Sequence, residues 1–321
     1  MKRDSVIYIA GHRGLVGSAM VRNLQTKGYT NLLMRTHAEL DLTDAAAVSR
    51  FFREYQPEFV ILAAAKVGGI LANNNYPADF IRENLLIQSS VIEEAYRAGV
   101  SRLLFLGSSC IYPKLAPQPM REAYLLTGPL EPTNRPYALA KIAGIEMCWS
   151  YNRQYDTKFL AAMPTNMYGP NDNFDPQSSH VLPALLRKVV EAKSSGQTSI
   201  TVWGSGSPRR EFLYSDDLAE ACTFLLSLPD DTYDSMLSEI EPPLINIGVG
   251  EDVSIRELAH LICEVLGFEG NLEFDASKPD GTPRKLLDVS RINALGWRAR
   301  TSLREGISLA YESALRNGVF P

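Results

Sequence analysis

A short apolar strand that runs directly into a glycine-rich loop, near the start of the chain, constrains the fold most strongly. Residues 6–10 read VIYIA, and three evenly spaced glycines follow them, Gly11, Gly14 and Gly17. A helical pattern then continues to about residue 27. Gly11 permits a tight turn, Gly14 leaves room for a diphosphate at the helix N-terminus, and Gly17 allows the helix to pack closely. The segment therefore predicts the first unit of a dinucleotide-binding fold.

Apolar strands alternate with helical stretches through the first half of the chain. Short runs of apolar residues have the composition of buried strands, and segments of helical length separate them. They cover residues 32–34, 59–63, 103–106 and 159–163. Continuously apolar strands between helices are typical of a parallel sheet that is covered on both faces. The sequence therefore predicts an α/β fold with a Rossmann-type doubly wound parallel sheet.

A change of pattern near residue 169 indicates a second part of the chain. Longer loops that are punctuated by proline and glycine follow, for example at residues 204–208. We therefore expect a dinucleotide-binding Rossmann domain over residues 1–169. Residues 170–321 are expected to form mainly a smaller α/β lobe that binds the substrate.

Composition narrows the possible classes of function. The chain has 321 residues, of which 45% are hydrophobic, and this suffices for an α/β core without metal or disulfide staples. The net charge of -5 and the lack of a Lys/Arg block argue against a nucleic-acid partner. The early first strand leaves no room for a signal peptide, and no apolar run approaches the ~20 residues of a membrane helix. The scattered cysteines suit reduced thiols, so we expect a cytoplasmic protein without a metal site or membrane association.

Tyr137 and Lys141 are four residues apart, which places both on one face of a helix. A free tyrosine has a pKa near ~10, and an ammonium about 5 Å away favours the phenolate by about 3 kcal/mol at an effective dielectric of ~20. We therefore expect Lys141 to lower the pKa of Tyr137, so that the phenol can exchange a proton near neutral pH. Ser108 and Cys110 follow the predicted fourth strand. Together these four side chains form a candidate site for redox chemistry and proton transfer.

Several motifs, taken together, resemble one protein family. The glycine spacing, the serine after the fourth strand and the Tyr-x-x-x-Lys pair resemble the extended short-chain dehydrogenase/reductases that act on nucleotide sugars. The resemblance is closest to the GDP-L-fucose synthase family of epimerase-reductases, and it covers essentially the whole chain. The motifs that carry it are residues 63–70 (AAAKVGGI), 107–114 (GSSCIYPK), 163–170 (MPTNMYGP) and 274–285 (FDASKPDGTPRK). In this family later segments return to the first domain, and residues 210–228 are expected to do so here.

The resemblance implies an NADPH-dependent conversion of GDP-4-keto-6-deoxy-D-mannose to GDP-L-fucose. The C4 carbonyl acidifies the hydrogens at C3 and C5, so a base and a differently placed acid can invert both carbons. By resemblance, Cys110 is the base and His180 is the acid. Ser108 and Tyr137 hold the C4 oxygen, and NADPH then supplies a hydride to C4. Tyr137 gives the new alkoxide its proton, while Lys141 also binds the nicotinamide ribose.

The end of the second predicted strand indicates which cofactor is used. An acidic residue there would hold the ribose of NAD, whereas this chain has Arg35 and His37, with Arg13 in the glycine loop. This basic environment suits the 2′-phosphate of NADP(H), although the family more often has an arginine where His37 stands. The expected cofactor contacts are Gly11, His12, Arg13, Gly14, Leu15, Val16, Gly17, Arg35, His37, Asp41, Leu42, Ala63, Ala64, Ala65, Leu106, Gly107, Ser109, Lys141, Pro164, Thr165, Asn166, Met167 and His180.

The resemblance also assigns a set of residues to the nucleotide of a GDP-sugar substrate. They are Lys188, Trp203, Arg210, Asp280 and Lys285. Lys188 replaces the arginine of the family, and it keeps the charge but loses bidentate contact with a diphosphate. The choice of guanine as the base rests on the resemblance alone.

By resemblance the family forms a homodimer through the helix that bears Tyr137 and the helix before it, and we expect the same here. The candidate contact surface is an apolar stripe of Ile142, Ile145, Cys148 and Trp149. The same stripe can equally face the protein's own sheet.

Two other functions remain open. One is a UDP-sugar 4-epimerase with tightly bound NAD, which shares the glycine loop and the Tyr-Lys pair. The other is a non-catalytic regulator that senses NADP. The intact set of Ser108, Tyr137 and Lys141 weighs against a regulator, because such a protein has no use for it.

Overall fold

The computed structural model describes residues 1–176, 178–278 and 280–320. Within these ranges the strands are, in chain order, β1 (Ile7–Ala10), β2 (Leu32–Leu33), β3 (Phe59–Leu62), β4 (Arg102–Leu106), β5 (Phe159–Pro164), β6 (Asn166–Tyr168), β7 (Ser199–Trp203), β8 (Arg209–Arg210), β9 (Phe212–Tyr214), β10 (Leu244–Ile247), β11 (Val253–Ser254), β12 (Asn271–Asp275) and β13 (Arg284–Lys285). The helices are, in chain order, α1 (Leu15–Thr26), α2 (Ala45–Tyr55), α3 (Ile70–Asn75), α4 (Pro77–Arg97), α5 (Arg135–Tyr155), α6 (Val181–Ser194), α7 (Ser215–Leu226), α8 (Asp230–Asp234), α9 (Ile255–Leu266), α10 (Ser290–Ala294) and α11 (Leu303–Arg316).

The central sheet contains six parallel strands in the order β2-β1-β3-β4-β5-β10. The chain leaves β1 through α1 to β2 on one side and then crosses through α2 to β3 on the other side of β1. The carboxyl ends of β1 and β3 therefore face a crevice at the point where the strand order reverses, which is where open α/β sheets bind ligands. The predicted α/β fold with a doubly wound parallel sheet is confirmed.

The outer strand β10 is the part of the sheet that the sequence pattern does not predict. Its residues Leu244–Ile247 are all buried, and they pair in parallel with β5. A run of only four residues, with the polar Asn246 among three apolar ones, carries too little periodicity to identify it as a strand. The four predicted strands, in contrast, lie within two residues of their expected bounds as β2, β3, β4 and β5.

Buried apolar side chains form two clusters in different parts of the chain. The first surrounds the central sheet and includes side chains of α7, β10 and α10. The second joins α6, α9 and α11 with β7. Helix α7 packs along α1, where Asp216 forms an ion pair with Arg22. The division near residue 169 and the return of residues 210–228 to the first domain stay predictions, which these clusters support.

The helices α4 and α5 are each 21 residues long, and they pack against each other beside the sheet. Ile142, Ile145 and Cys148 of α5 are buried in the cluster around the sheet. Trp149 donates its indole N–H to the Ser238 carbonyl. The expectation that this stripe faces a second subunit is therefore wrong, because the stripe packs against the protein's own core. Among the helices in the described ranges, none is long and apolar enough to cross a membrane.

Candidate active site

Three glycines build the loop between β1 and α1. Gly11 has a φ of +86°, a left-handed conformation that favours glycine, and a Cβ there would lie 2.8 Å from the backbone of Ala64. A Cβ on Gly17 would lie 2.0 Å from the Gly11 carbonyl oxygen, so only glycine lets α1 approach the loop this closely. A Cβ on Gly14 would lie 3.6 Å from that same oxygen, at an ordinary contact distance. Gly11 and Gly17 therefore serve the fold, whereas Gly14 leaves space in front of α1.

The N-terminus of α1 is suited to an anion. Its N-cap residue is Gly14, which offers no side chain to the free N–H groups of the first turn, where Leu15 and Val16 lie. The helix dipole adds a partial positive charge at the same place. His12, in the loop, has a buried Nδ1 atom that finds no hydrogen-bond partner within the described part of the chain. These features fit the diphosphate of a dinucleotide, and the residues expected to contact it lie together at this opening.

Arg35 and His37, the basic residues expected to contact the adenosine end of the cofactor, differ in how firmly the protein holds their side chains. Arg35 stacks on Tyr55, with the guanidinium carbon 4.7 Å from the ring centre, and it donates a hydrogen bond to the Met34 carbonyl. The His37 side chain is 83% exposed, and its Nδ1 atom lies 3.8 Å from a carboxylate oxygen of Asp41. Arg35 is therefore pre-positioned, whereas His37 is free to turn toward a ligand.

A carboxylate that the sequence analysis does not single out lies beside these basic residues. Glu39 accepts hydrogen bonds from the Thr36 backbone N–H (2.7 Å) and hydroxyl (2.8 Å). These bonds, and then the charges of Arg35 and Arg13, lower the pKa of Glu39. Arg35 and Arg13 therefore both lie near the Glu39 carboxylate. The Thr-x-x-Glu spacing is that of a capping box, which is the signal that points to Glu39.

The carboxyl ends of the central strands form the wall beside the glycine loop. Ala63, after β3, donates a hydrogen bond to the Ala10 carbonyl at the end of β1. A Cβ on Gly107, after β4, would lie 1.9 Å from the Cε atom of Met163, so a larger residue there would have to displace the end of that side chain. Thr165, after β5, donates its backbone N–H to the last carbonyl of β10. The expected cofactor contacts at residues 63–65, 106–109 and 164–167 thus follow three neighbouring strands.

Ser108, Cys110 and Tyr137 meet at the carboxyl end of β4. Cys110 lies in a short 3-10 turn, and its backbone N–H is 3.5 Å from the Ser108 hydroxyl oxygen, which caps that turn. The same hydroxyl interacts with the Cys110 thiol and with the Tyr137 phenol. Phe80 of α4 packs edge-on against the Tyr137 ring, with 6.3 Å between the ring centroids. The structure therefore brings three of the predicted catalytic residues together around one hydroxyl.

Lys141 does not act on Tyr137 as expected. Its buried ammonium donates a hydrogen bond to the Leu106 carbonyl (2.8 Å), and it lies 4.7 Å from the centre of the Phe105 ring and 5.9 Å from that of Tyr137. Burial lowers the pKa of Lys141 to about 8. Desolvation, and then Cys110, raise the pKa of Tyr137 above its ordinary value. The expectation of a lowered tyrosine pKa is therefore wrong for this structure, because burial removes the water that would stabilise the phenolate.

Lys285 of β13 brings a positive charge to both the predicted base and the predicted acid. Burial raises the pKa of the Cys110 thiol, while Ser108, Lys285 and Lys141 oppose this change. Desolvation, and then Lys285, lower the pKa of His180. At neutral pH the thiol is therefore protonated and the imidazole is neutral. Lys285 is therefore close enough to Cys110 and His180 to act on both electrostatically, whereas its position in the sequence indicates only a contact with the nucleotide.

His180 is the exposed N-cap residue of α6, which begins at the residue after it. The preceding loop is held against the segment after β3, where Gly69 donates a hydrogen bond to the Ser178 carbonyl (3.1 Å). A Cβ on Gly69 would lie 3.2 Å from that oxygen, so this close contact suits glycine. The His180 side chain is therefore accessible, although the surrounding protein and Lys285 still lower its pKa.

Lys188 and Trp203 lie side by side in the second part of the chain. Lys188 donates a hydrogen bond to the Thr201 carbonyl (2.8 Å), and its ammonium is 5.3 Å from the centre of the Trp203 ring. Trp203 is 66% exposed at the end of β7, so its ring is available for stacking. A second ammonium, that of Lys278, lies 5.6 Å from the same ring. The sequence analysis does not single out Lys278, although it lies within the motif at residues 274–285.

The other predicted substrate residues lie between β12 and β13, on β8 and on β13. Asp280 accepts hydrogen bonds from the Ser205 backbone N–H (2.9 Å) and hydroxyl (2.7 Å), which ties its loop to the end of β7. Arg210 is half-buried beside Gly281, where a Cβ would lie 3.0 Å from the guanidinium. Because β13 pairs with β8, Lys285 lies opposite Arg210. The predicted substrate residues therefore form two groups. Arg210 and Lys285 form a charged pair near Cys110, and the others lie around the exposed indole of Trp203.

Comparison with known proteins places the chain in a family. The model of the NAD dependent epimerase/dehydratase family matches residues 7–248. This range contains the glycine loop, the cluster around Ser108 and the whole central sheet.

Individual relatives are similar over nearly the whole chain. GDP-L-fucose synthase 1 of Arabidopsis thaliana is 58% identical over 98% of this chain and 94% of its own length. GDP-L-fucose synthase of Escherichia coli K12 is 54% identical over 97% of both chains. Among solved structures, a GDP-mannoheptose C4 reductase from Campylobacter jejuni with NADP bound is 40% identical, with a TM-score of 0.88, over 98% of this chain and 99% of that one. The chain therefore belongs to the NAD dependent epimerase/dehydratase family and, within it, to the GDP-L-fucose synthase family.

Proposed function

We propose that the protein converts GDP-4-keto-6-deoxy-D-mannose to GDP-L-fucose by epimerisation at C3 and C5 followed by reduction at C4 with NADPH. The observation that carries this proposal is the cluster in which the Ser108 hydroxyl interacts with both the Cys110 thiol and the Tyr137 phenol. A thiol can remove a proton from an acidified carbon, and a phenol can protonate an alkoxide. The cluster therefore unites the groups that both steps need, and the similarity to GDP-L-fucose synthases supports the same reaction.

Cys110 and His180 carry out the two inversions. Loss of the thiol proton, with uptake of a proton by His180, gives a thiolate base and an imidazolium acid. The thiolate removes the hydrogen from C3 or C5, and the electron pair moves to the C4 oxygen to form an enolate that Ser108 and Tyr137 stabilise. His180 then protonates the carbon on the other face, which inverts it and restores the neutral imidazole and the thiol. Lys285 supports this exchange because a positive charge beside Cys110 favours the thiolate.

Tyr137 completes the reduction as a proton donor. Bound NADPH supplies the hydride to C4. The raised pKa of Tyr137 keeps the phenol protonated at neutral pH, so that it can donate its proton to the C4 oxygen as an alkoxide develops. Lys141, which the Leu106 carbonyl holds in place, stabilises the phenolate that remains.

The second part of the chain holds the nucleotide of the substrate. Arg210 and Lys285 lie opposite each other on paired strands, and together they supply two positive charges for the diphosphate. Trp203 offers an exposed indole face on which a base can stack, with the ammonium groups of Lys188 and Lys278 beside it. This arrangement supports an anionic nucleotide sugar that extends from the indole to the catalytic cluster.

A homodimer through the outer faces of α4 and α5 is part of the proposal. Leu86 and Leu139 are exposed apolar side chains on these helices, at 38% and 39%. Near the ends of the same helices, Tyr96 stacks on Tyr155 with 4.2 Å between the ring centroids. Exposed apolar side chains on adjacent helices support contact with a second copy.

A cytoplasmic location is also proposed. Cys110, Cys148, Cys222 and Cys263 are all free and buried. Free thiols are typical of proteins that work in a reducing compartment. Expression with a fluorescent tag and microscopy test this, and export of the protein from the cytoplasm would contradict it.

An assay with the two nicotinamide cofactors tests the function. The purified protein is mixed with GDP-4-keto-6-deoxy-D-mannose and either NADPH or NADH, loss of cofactor absorbance is followed, and the product is identified by NMR. We expect NADPH to be consumed with formation of GDP-L-fucose. NADH should react more slowly because Arg13, Arg35 and His37 suit a 2′-phosphate. Absence of NADPH consumption would contradict the proposed function.

The same experiment separates the alternative functions. A UDP-sugar 4-epimerase would retain NAD through purification and would interconvert UDP-sugars without net consumption of NADPH. A non-catalytic sensor would bind NADPH and leave the GDP-sugar unchanged. Either result would replace the proposed function by that alternative.

A further inference from the structure

Asn246 is a polar residue inside an apolar strand of the central sheet. It is 0% exposed, and it lies in β10 between the buried residues Ile245 and Ile247. Its backbone N–H donates to a carboxylate oxygen of Glu122 (3.0 Å), and its side-chain oxygen accepts a bond from the Tyr112 hydroxyl (2.6 Å). Buried polar groups with a full set of partners fix the segments that they join relative to one another.

The oxygen of the Asn246 amide is linked to the catalytic cysteine. Tyr112 is two residues after Cys110, and its backbone N–H lies 3.5 Å from the Ser109 carbonyl at the end of the 3-10 turn. Ser108 caps the beginning of the same turn. The turn that carries Cys110 is therefore held at its beginning by a hydroxyl and at its end by a tyrosine that rests on Asn246.

The nitrogen of the Asn246 amide is linked to Lys285. It donates to the carbonyls of Met120 (3.0 Å) and Asp288 (3.1 Å). Met120 in turn donates its backbone N–H to the Leu286 carbonyl and accepts a bond from the Asp288 N–H, both at 2.8 Å. Lys285 immediately precedes this paired segment. One amide group therefore joins the cysteine turn to the segment that carries the ammonium.

Glu211 holds the same segment from its other side. The residue is 0% exposed, and one carboxylate oxygen accepts the Leu287 N–H (2.9 Å). The other carboxylate oxygen accepts the N–H groups of Val249 (2.6 Å) and Gly250 (2.7 Å), just beyond β10. The segment that follows Lys285 is therefore clamped between Glu211 and the Asn246 network, which limits how far the ammonium can move.

We propose that Tyr112 and Asn246 are positioning residues that set the Cys110 thiol against the Lys285 ammonium, and that they thereby serve epimerisation rather than hydride transfer. The inference rests on the proposed function, in which the thiol acts only on C3 and C5. Ser108 and Tyr137 serve both steps, and neither is hydrogen-bonded to Tyr112 or Asn246: Ser108 lies at the end of β4 and Tyr137 on α5. Loosening the network should therefore impair one half of the reaction and spare the other.

Tyr112→Phe removes the hydroxyl bonded to Asn246 and keeps the ring. Wild type and variant are incubated with GDP-4-keto-6-deoxy-D-mannose in deuterated water without NADPH, and label at C3 and C5 is measured by NMR. We expect incorporation to fall about 10-fold or more, because a displacement of ~1 Å in a reacting group can cost ~10²-fold. Hydride transfer is measured in the reverse direction, as NADPH formed from GDP-L-fucose and NADP⁺ in a single turnover. Its rate should stay within about two-fold of wild type, as for a group that acts only in the other step.

Tyr233→Phe is the matched control. Tyr233 is also a buried tyrosine whose hydroxyl makes one hydrogen bond, to the Lys158 carbonyl (3.3 Å), but it lies at the opposite, amino end of the sheet. This variant loses a buried hydroxyl without touching the network, so its two half-reactions should change equally or not at all. Asn246→Asp is a second test, because it keeps the acceptor for Tyr112 and replaces the donor amide. Asn246→Asp should also lose incorporation of label and keep hydride transfer. If Tyr112→Phe does not fold, Asn246→Asp alone tests the positioning role.

The outcomes separate this inference from the proposed function. Undiminished label, or equal losses of label and of hydride transfer, in Tyr112→Phe and Asn246→Asp would overturn the positioning role. Wild-type protein that incorporates no label at C3 and C5 would instead overturn the proposed epimerisation, and this inference with it.

Discussion

Tyr137 is the side chain on which the reduction depends most directly. Its raised pKa keeps the phenol protonated, and Tyr137→Phe removes this donor but keeps the edge-on packing of the ring against Phe80. We expect the reduction to slow by ~10²-fold or more, with no change in the dissociation constant of NADPH. Stopped-flow measurement of NADPH oxidation checks this prediction. Turnover near that of wild type would remove Tyr137 from the mechanism.

The lowered pKa of Lys141 predicts opposite pH trends for the rate of reduction and for the free energy of unfolding. Burial lowers the pKa of its ammonium to about 8, from an ordinary value of 10.5. As the pH rises through about 8, the folded protein loses this charge, so the phenolate formed in the reduction loses its stabilisation and the rate should fall. Between about 8 and 10.5 the unfolded chain still binds the proton, so this group adds to the free energy of unfolding as the pH rises.

Reduction rates and urea unfolding curves across this pH interval test the role of Lys141. A reduction rate that rises steadily past pH 8 would contradict it. Lys141→Arg provides a control, because a guanidinium stays charged throughout and should abolish the fall in rate.

Spacing along the chain predicts that Tyr137 and Lys141 lie together, but it does not predict how they act on each other. The direction of each pKa shift depends on how much water the surrounding protein excludes, and those atoms come from other elements. For Lys141 they include Leu106 and Phe105 of β4. Spacing in the sequence also cannot predict that Lys285 lies near Cys110, because this position depends on the pairing of β13 with β8.

At the scale of elements, the loop between β1 and α1 offers a matched pair of variants. Gly17→Ala would place a Cβ 2.0 Å from the Gly11 carbonyl oxygen, so α1 must shift, and we expect a loss of about 1–3 kcal/mol or more in the free energy of unfolding. Gly14→Ala meets only an ordinary contact at 3.6 Å and should fold normally. Its methyl group lies where the diphosphate approaches, so NADPH should bind more weakly.

Thermal or urea unfolding and NADPH titration distinguish the two alanine variants. We expect the free energy of unfolding to fall in Gly17→Ala and the affinity for NADPH to fall in Gly14→Ala. Equal stability of the two proteins would contradict the role assigned to Gly17, and unchanged affinity in Gly14→Ala would contradict the role assigned to Gly14.

The sequence predicts most elements of the sheet but not what each element packs against. Strands β2 to β5 follow from alternating apolar and helical segments, because buried strands need such composition. The apolar stripe on α5 shows that periodicity does not identify the partner of a helix face. Periodicity places Ile142, Ile145 and Cys148 on one face, yet the partner of that face is the protein's own core. The hydrogen bonds of Asn246 could not be predicted from the sequence either, because its partners lie far away along the chain.

At the scale of the whole molecule, the outer faces of α4 and α5 predict a homodimer. Light scattering at micromolar concentration should give about twice the chain mass of 35.6 kDa. Leu139→Lys places a charge in the proposed interface, where burial without a partner is unfavourable, and should release monomers. Leu315→Lys is the control, because Leu315 is similarly exposed, at 41%, on α11. A mass of 35.6 kDa for the unmodified protein would contradict the dimer.

The two parts of the chain contribute different groups to one reaction. The turn after β4 and helix α5 bring the thiol, the phenol and the buried ammonium of Lys141 to the carboxyl end of β4. The later segment brings Lys285, with Arg210 beside it on the paired strand β8. The central claim is therefore that one site performs two separable kinds of chemistry, carbon acid chemistry at C3 and C5 and hydride transfer at C4.

Isotope exchange in Cys110→Ser tests this claim most directly. A serine hydroxyl has a far higher pKa than a thiol near ~8.5, so the variant should not form the enolate, whereas NADPH binding should be intact. In deuterated water without NADPH, wild type and the control Cys263→Ser should incorporate label at C3 and C5, and Cys110→Ser should not. With NADPH, Cys110→Ser should slowly form a 6-deoxy sugar with unaltered C3 and C5. Undiminished label in Cys110→Ser would show that another residue is the base and that Cys110 has no part in the epimerisation.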